Sequence, residues 1–61
     1  MIVLTLAGDA DGEDLFLNPT NIIGVCSNDE GSTDVVCVGQ TIFVVKETPI
    51  EVCNRVAKNF N

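Results

Sequence analysis

The chain is predicted to be a mainly β protein of the α+β class, a sheet of about five mostly antiparallel strands, or a small barrel, followed by one C-terminal helix. Three observations predict it. Short runs rich in β-formers recur at residues 1–6, 15–17, 22–26, 34–38 and 41–45, separated by clusters of Gly, Asn, Asp, Ser and Pro. Gly39-Gln40 stands between the last two runs as a two-residue loop with Gly in first place, the pattern of a type II′ hairpin. After residue 45 the apolar spacing changes from that of a strand to that of a helix over residues 49–59.

The helix start carries the most signals. Thr48 and Glu51 form a capping box, in which the Thr hydroxyl accepts from the third helical amide and the Glu side chain accepts from the cap amide. Pro49 occupies the first helical position, where its missing N–H costs nothing. Val52, Cys53, Val56, Ala57 and Phe60 then mark an apolar face, while Glu51, Asn54, Arg55 and Lys58 are polar. A helix of this length is too short to be stable alone, so it must dock on the sheet.

Upstream, residues 1–6 read as a first strand, and the glycines and carboxylates of residues 7–14 as a loop. Residues 15–17 are a short second strand ended by Asn18-Pro19, because Pro cannot continue a ladder and restricts the residue before it. Residues 22–26 form a third strand, and the polar residues 27–33 a seven-residue loop. With a two-residue turn at Gly39, Val38 faces Thr41, Cys37 faces Ile42, Val36 faces Phe43 and Val35 faces Val44. Val36, Val38, Phe43 and Val45 then share one side, and Val35, Cys37, Ile42 and Val44 the other. Both sides are apolar and one helix covers only one of them. The expectation is a homodimer or higher homo-oligomer, unless the sheet curls into a barrel.

Length and composition narrow the functional classes. Sixty-one residues make one domain, near the size at which a core needs help from disulfides, a metal or oligomerisation. Cys26, Cys37 and Cys53 are an odd set, and the opening six residues are too short for an apolar signal core, so a reducing, cytoplasmic setting is expected. No apolar run is long enough to span a membrane. Nine acidic against three basic residues give a net charge of −6, which disfavours nucleic acid as a partner and favours solubility or a basic protein partner.

No constellation in the sequence has the makings of a catalytic centre. There is no His, so Ser27, Ser32 and the three thiols lack an imidazole base, and no enzyme activity is expected. Asp9, Asp11, Glu13 and Asp14 crowd a Gly-containing loop, the ligand chemistry of hard cations. Their order does not match an EF-hand, whose Gly is the sixth loop residue and whose bidentate Glu is the twelfth. They are read as a solvated loop, with no metal and no cofactor expected. Together with Asp29 and Glu30 they are candidates for contact with a basic partner.

Met1-Ile2-Val3-Leu4-Thr5, Phe16-Leu17-Asn18-Pro19, Ile22-Ile23 and Val44-Val45-Lys46-Glu47, followed by Pro49, Glu51-Val52 and Val56, resemble the short FlbD-type proteins of the flagellar and swarming motility family. The resemblance runs in order along nearly the whole chain. It departs in the acidic loop 9–14, in the loop 27–33 and at Thr48, where Ser is usual. It implies a small cytosolic accessory or regulatory protein without catalytic residues, of a kind whose genes also travel on mobile and phage elements. A weaker similarity is to the CsrA-type translational regulators, which share the opening motif and a terminal helix. Their RNA binding depends on basic residues near both chain ends, whereas Leu6 stands in the first strand here and no Arg ends the fifth. The expected function is a non-catalytic regulator that binds a protein partner, with a symmetric oligomer holding a small ligand, nucleotide or RNA between protomers as the alternative.

Overall fold

The computed structural model describes residues 1–60. Its elements are β1 (Ile2–Thr5), β2 (Asp14–Leu17), β3 (Ile22–Ser27), β4 (Thr33–Cys37), β5 (Thr41–Val45) and α1 (Pro49–Asn59). All strand pairs are antiparallel and form two sheets, β1–β2 and β3–β4–β5. The sheets meet where β1 ends. Leu6 bridges Val45, the Ala7 amide donates to the Val44 carbonyl (2.9 Å), and the Lys46 amide donates to the Thr5 carbonyl (2.8 Å). The strand order is therefore β3, β4, β5, β1, β2 with a break at the β5–β1 step, and no closed barrel forms.

The core lies between the two sheets. Ile2, Leu4 and Leu17 enter from one, Val35, Cys37 and Val45 from the other, and Val52 from the helix. Period-two alternation sorts every strand but the bulged β3: in β1, Ile2 and Leu4 are buried while Val3 faces out, and in β4, Thr33, Val35 and Cys37 are buried. Leu15, Ile22, Val25, Phe43 and Val56 pack around the edge of this cluster.

The helix begins as its sequence demands. The Glu51 amide donates to Thr48 Oγ1 and the Thr48 amide donates to Glu51 Oε1, both at 3.1 Å, and Pro49 fills the first position. Its buried face is narrower than expected: Val52 is buried and Val56 half-buried, but Cys53, Ala57 and Phe60 are exposed. At roughly 100° per residue, Cys53 and Ala57 stand well round the cylinder from Val52, and a short helix laid along β1 and β3 covers only one stripe.

One loop is tighter than the sequence suggests. Ser27 and Thr33 pair, leaving a connection of residues 28–32. Asn28 organises it, its Oδ1 accepting from the Glu30 and Ser32 amides (3.0 Å each) and its Nδ2 donating to Asp34 (3.0 Å). Asn18 caps the 3-10 turn Pro19–Asn21 in a similar way, accepting from the amide and hydroxyl of Thr20.

The β4–β5 hairpin differs from the expected register. Cys37 pairs with Thr41, Val36 with Ile42, Val35 with Phe43 and Asp34 with Val44, so the loop is Val38-Gly39-Gln40 and not a two-residue type II′ turn. Gly39 and Gln40 are both left-handed, at φ 82° and 63°, and the Val38 amide leaves the ladder to donate to the Asn21 carbonyl (2.8 Å). A one-residue slip turns β5 over relative to β4. Phe43 and Val45 thus join Val35 on the inner side, Val45 fully buried, while Ile42 and Val44 face out with Val36.

Two substitutions test these assignments. Thr48→Ala removes one half of the capping box and should cost about 1 kcal/mol, a melting shift of about 4–8 °C for a domain this small; an unchanged melting point would rule the box out. Gln40→Gly relieves a left-handed backbone that costs a side-chain-bearing residue about 1 kcal/mol or more, part of which returns as added freedom of the unfolded chain. Denaturant titration should show a small gain, and a loss would contradict the three-residue loop.

Candidate interaction surface

The most densely bonded polar group in the structure is one that the sequence reading did not single out. Glu47 sits in the two-residue step between β5 and the helix cap, and its side chain is only 9% exposed. The Thr5 amide donates to both its oxygens (2.9 and 3.1 Å), and the Thr5 hydroxyl (2.9 Å) and Arg55 Nη1 (3.0 Å) donate to Oε2. Arg55 Nη1 also donates to the Val3 carbonyl at 2.8 Å. Strand β1, the β5–α1 junction and the second turn of the helix are thereby tied at one point. The signal in sequence was slight: an acidic residue just ahead of a capping box, with an Arg eight positions on.

Burial alone would push the Glu47 carboxyl up. Hydrogen bonds from the Thr5 amide, its own amide, the Thr5 hydroxyl and Arg55 outweigh that effect and hold it below the ordinary carboxylate value. Every bond is spent on the fold, so this carboxylate is a tie and not a free base. Cys37, the buried thiol, is pushed up by desolvation and so kept from the reactive thiolate form. Cys26 and Cys53 are exposed free thiols, in contrast to the buried fate that small apolar cysteines commonly meet.

The candidate interaction residues fall into two groups. Of the apolar four, Val36 lies half-buried on the outer face and Val38 is exposed in the hairpin loop, whereas Phe43 and Val45 point inward and are removed from the candidate surface by the register. Ile42 (56% exposed) and Val44 (36%) take their places beside Val36, and Gly24 next to Val36 adds no side chain. A second outward pair, Val3 and Phe16, stands directly opposed on β1 and β2.

The acidic residues, far apart in sequence, gather at one end of the molecule. Ser27, Thr33, Val45 and Leu6 form a row across the strands, and the Leu6 amide donates to the Glu13 carbonyl (2.8 Å). Both acidic loops hang beyond that row: Asp9, Asp11 and Glu13, with Asp14 opening β2, on one side, and Asp29 with Glu30 on the other. Lys46 Nζ pairs with Asp11 Oδ2 at 3.1 Å, but both side chains are largely exposed, so this contact contributes little to stability. Among the described residues, no three His, Cys, Asp or Glu side chains are grouped to hold a metal ion.

Two open grooves flank the helix. One, about 320 Å³, lies between the start of β1 and Arg55, Lys58 and Asn59. The other, about 370 Å³, runs between β3 and Cys53, Val56 and Ala57. Among the described residues no helix is long and apolar enough to cross a membrane. No protein-family profile matches the chain, and no significantly similar curated protein or solved structure is found.

The Glu47 tie gives a signed pH dependence. Its folded value lies below the unfolded one, so the contribution is complete above the unfolded carboxylate value of about 4.3 and is lost as pH falls through the folded value. Glu47→Gln should lower stability near neutral pH by roughly 1.5–3 kcal/mol, the range for hydrogen bonds to a charged group. Denaturant titrations at pH 7 and pH 3 should show the gap between the two proteins closing in acid; a constant gap would mean the carboxylate is not held ionised by these contacts.

Proposed function

We propose that this chain is a small, acidic, non-catalytic regulatory or accessory protein of the cytoplasm that acts by binding a protein partner, and that it does so as a homodimer joined through the outer face of β3, β4 and β5. One observation carries the reading. Among the described residues nine large apolar side chains are exposed, against seven apolar residues that make up the whole buried core. Single exposed apolar residues need no explanation, but contiguous ones call for a covering surface. Ile42 and Val44, on one side of β5, are such a set, with half-buried Val36 paired to Ile42 and Asp34 paired to Val44. A two-fold pairing is the commonest way for a chain to cover itself. The acidic end supplies long-range attraction for a basic partner, and the resemblance to FlbD-type proteins agrees with a regulatory role.

The alternative, an anionic ligand held between protomers, would draw on the groove beside Arg55 and Lys58. Arg55 is already engaged with Glu47 and Val3, which leaves Lys58 as the side-chain cation of that groove with no ion pair among the described residues.

Light scattering at micromolar concentration should give about twice the chain mass of 6.5 kDa, and Ile42→Asp combined with Val44→Asp should return it to one chain mass. A compact wild-type monomer would overturn the dimer. The chain has no Trp or Tyr, so a co-purified nucleotide would dominate its ultraviolet absorbance. A stoichiometric nucleotide spectrum would overturn the protein-binding reading in favour of the ligand.

A further inference from the structure

Strand β3 ends the sheet order, and among the described residues the Ile22 amide's bond to the Pro19 carbonyl is its one backbone hydrogen bond to a segment other than β4. Exposed edges are usually guarded by Lys, Pro, an inward charge or a bulge, because their free amides and carbonyls accept another strand. The sequence of β3 is Ile-Ile-Gly-Val-Cys-Ser, with no Lys, Pro or charge, and its one guard is a bulge at its start. A bulge between Ile22 and Gly24 interrupts its register, which leaves residues 24–27 as the regular stretch and turns Ile23 out as an apolar rim. Of the other edges among the described residues, β2 opens on Asp14, and β5 and β1 face each other across the break that the Leu6–Val45 bridge spans.

The apolar groove lies along this edge. Residues 22–25 form one wall, and Cys53, Val56 and Ala57 the other. The lining carries no charge, and its helical wall is the apolar flank that the core left uncovered. An extended segment paired to β3 would turn every second side chain into the groove. The far end of the edge, past Ser27, leads directly to Asp29 and Glu30.

Resting on the protein-partner reading above, we infer that β3 is the docking edge, and that its occupant is an extended segment of a partner protein with apolar residues at alternate positions and basic residues at the end beside Asp29 and Glu30. Charge favours this occupant over a second copy of the chain, whose net charge of −6 offers no excess of cations to Asp29 and Glu30. An antiparallel fit, the pairing used throughout this sheet, puts the basic residues at the segment's N-terminal end. The edge is distinct from the outer face assigned to the dimer, so both surfaces can be occupied at once.

The probe is a capped peptide of two lysines followed by alternating valine and threonine, titrated into isotope-labelled protein. Amide shifts are expected at residues 22–27 and at Cys53 and Ala57, but not at Ile42 or Val44. Methylating the peptide amides that face β3 should abolish binding, and replacing the lysines with glutamates should weaken it at least tenfold at low salt. Ala57→Lys, at an exposed helical site where a cation suits the C-terminal end of the dipole, should weaken it by a similar factor with the fold intact. No binding at millimolar peptide, or equal binding by the methylated peptide, would overturn the docking edge. Shifts confined to Ile42 and Val44 would also overturn it while leaving the protein-binding reading in place, whereas loss of that reading would show as the nucleotide spectrum described above.

Discussion

The fold depends on one largely buried carboxylate, that of Glu47. A two-stranded sheet, a three-stranded sheet and an eleven-residue helix each have too little apolar surface to hold a fixed geometry alone, and they meet at Glu47. Thr5 saturates the carboxylate from the strand and Arg55 closes it from the helix. Arg55 in turn reaches the Val3 carbonyl, so the helix is anchored to the backbone of β1 as well as to its own junction. Such a tie fixes direction: it sets the helix over the gap between β1 and β3, so that Val52 closes the core. The desolvation cost of burying a charge is offset here by multiple donors, the condition under which a buried charge is tolerated.

The position of that tie decides which surfaces are left over. The helix presents its Val52 stripe to the core, and its Cys53–Ala57 flank is left beside β3 with nothing packed on it. On the other side of the three-stranded sheet, the three-residue loop turns Ile42 and Val44 outward. One chain of this size cannot cover both sides of its sheet. Its remaining apolar surface is divided between a face suited to self-association and an edge suited to strand addition.

Electrostatics adds direction to these surfaces. The acidic residues sit on two loops from different parts of the chain, yet antiparallel pairing brings both to the same end of the strands. The opposite end carries the hairpin loop Val38-Gly39-Gln40, without charge, and the cation Lys58 lies in the last turn of the helix. A uniformly acidic surface would only repel copies of itself. An acidic end next to an open strand edge is placed to orient a basic partner of the kind proposed above.

Much of the architecture could be read from sequence because it rests on local chemistry. Strand runs, the Asn18-Pro19 stop and the Thr48-Pro49-Glu51 helix start are decided by residues within a few positions of one another, and the structure places the strands within a residue of the pattern and the stop and helix start where it sets them. The hairpin register was not legible in that way. Gly39 suits either a two- or a three-residue loop, and the choice falls to the contact between the Val38 amide and Asn21 and to the burial of Val45, both made by distant segments. That single step exchanged Phe43 and Val45 for Ile42 and Val44 on the outer face. Glu47 was equally silent, since its partners lie 42 residues before it and 8 after it. The sequence by itself determined the elements and the sign of the charge; the tertiary structure alone decided which apolar side chains face out and where the charge collects, because both depend on which strands become neighbours.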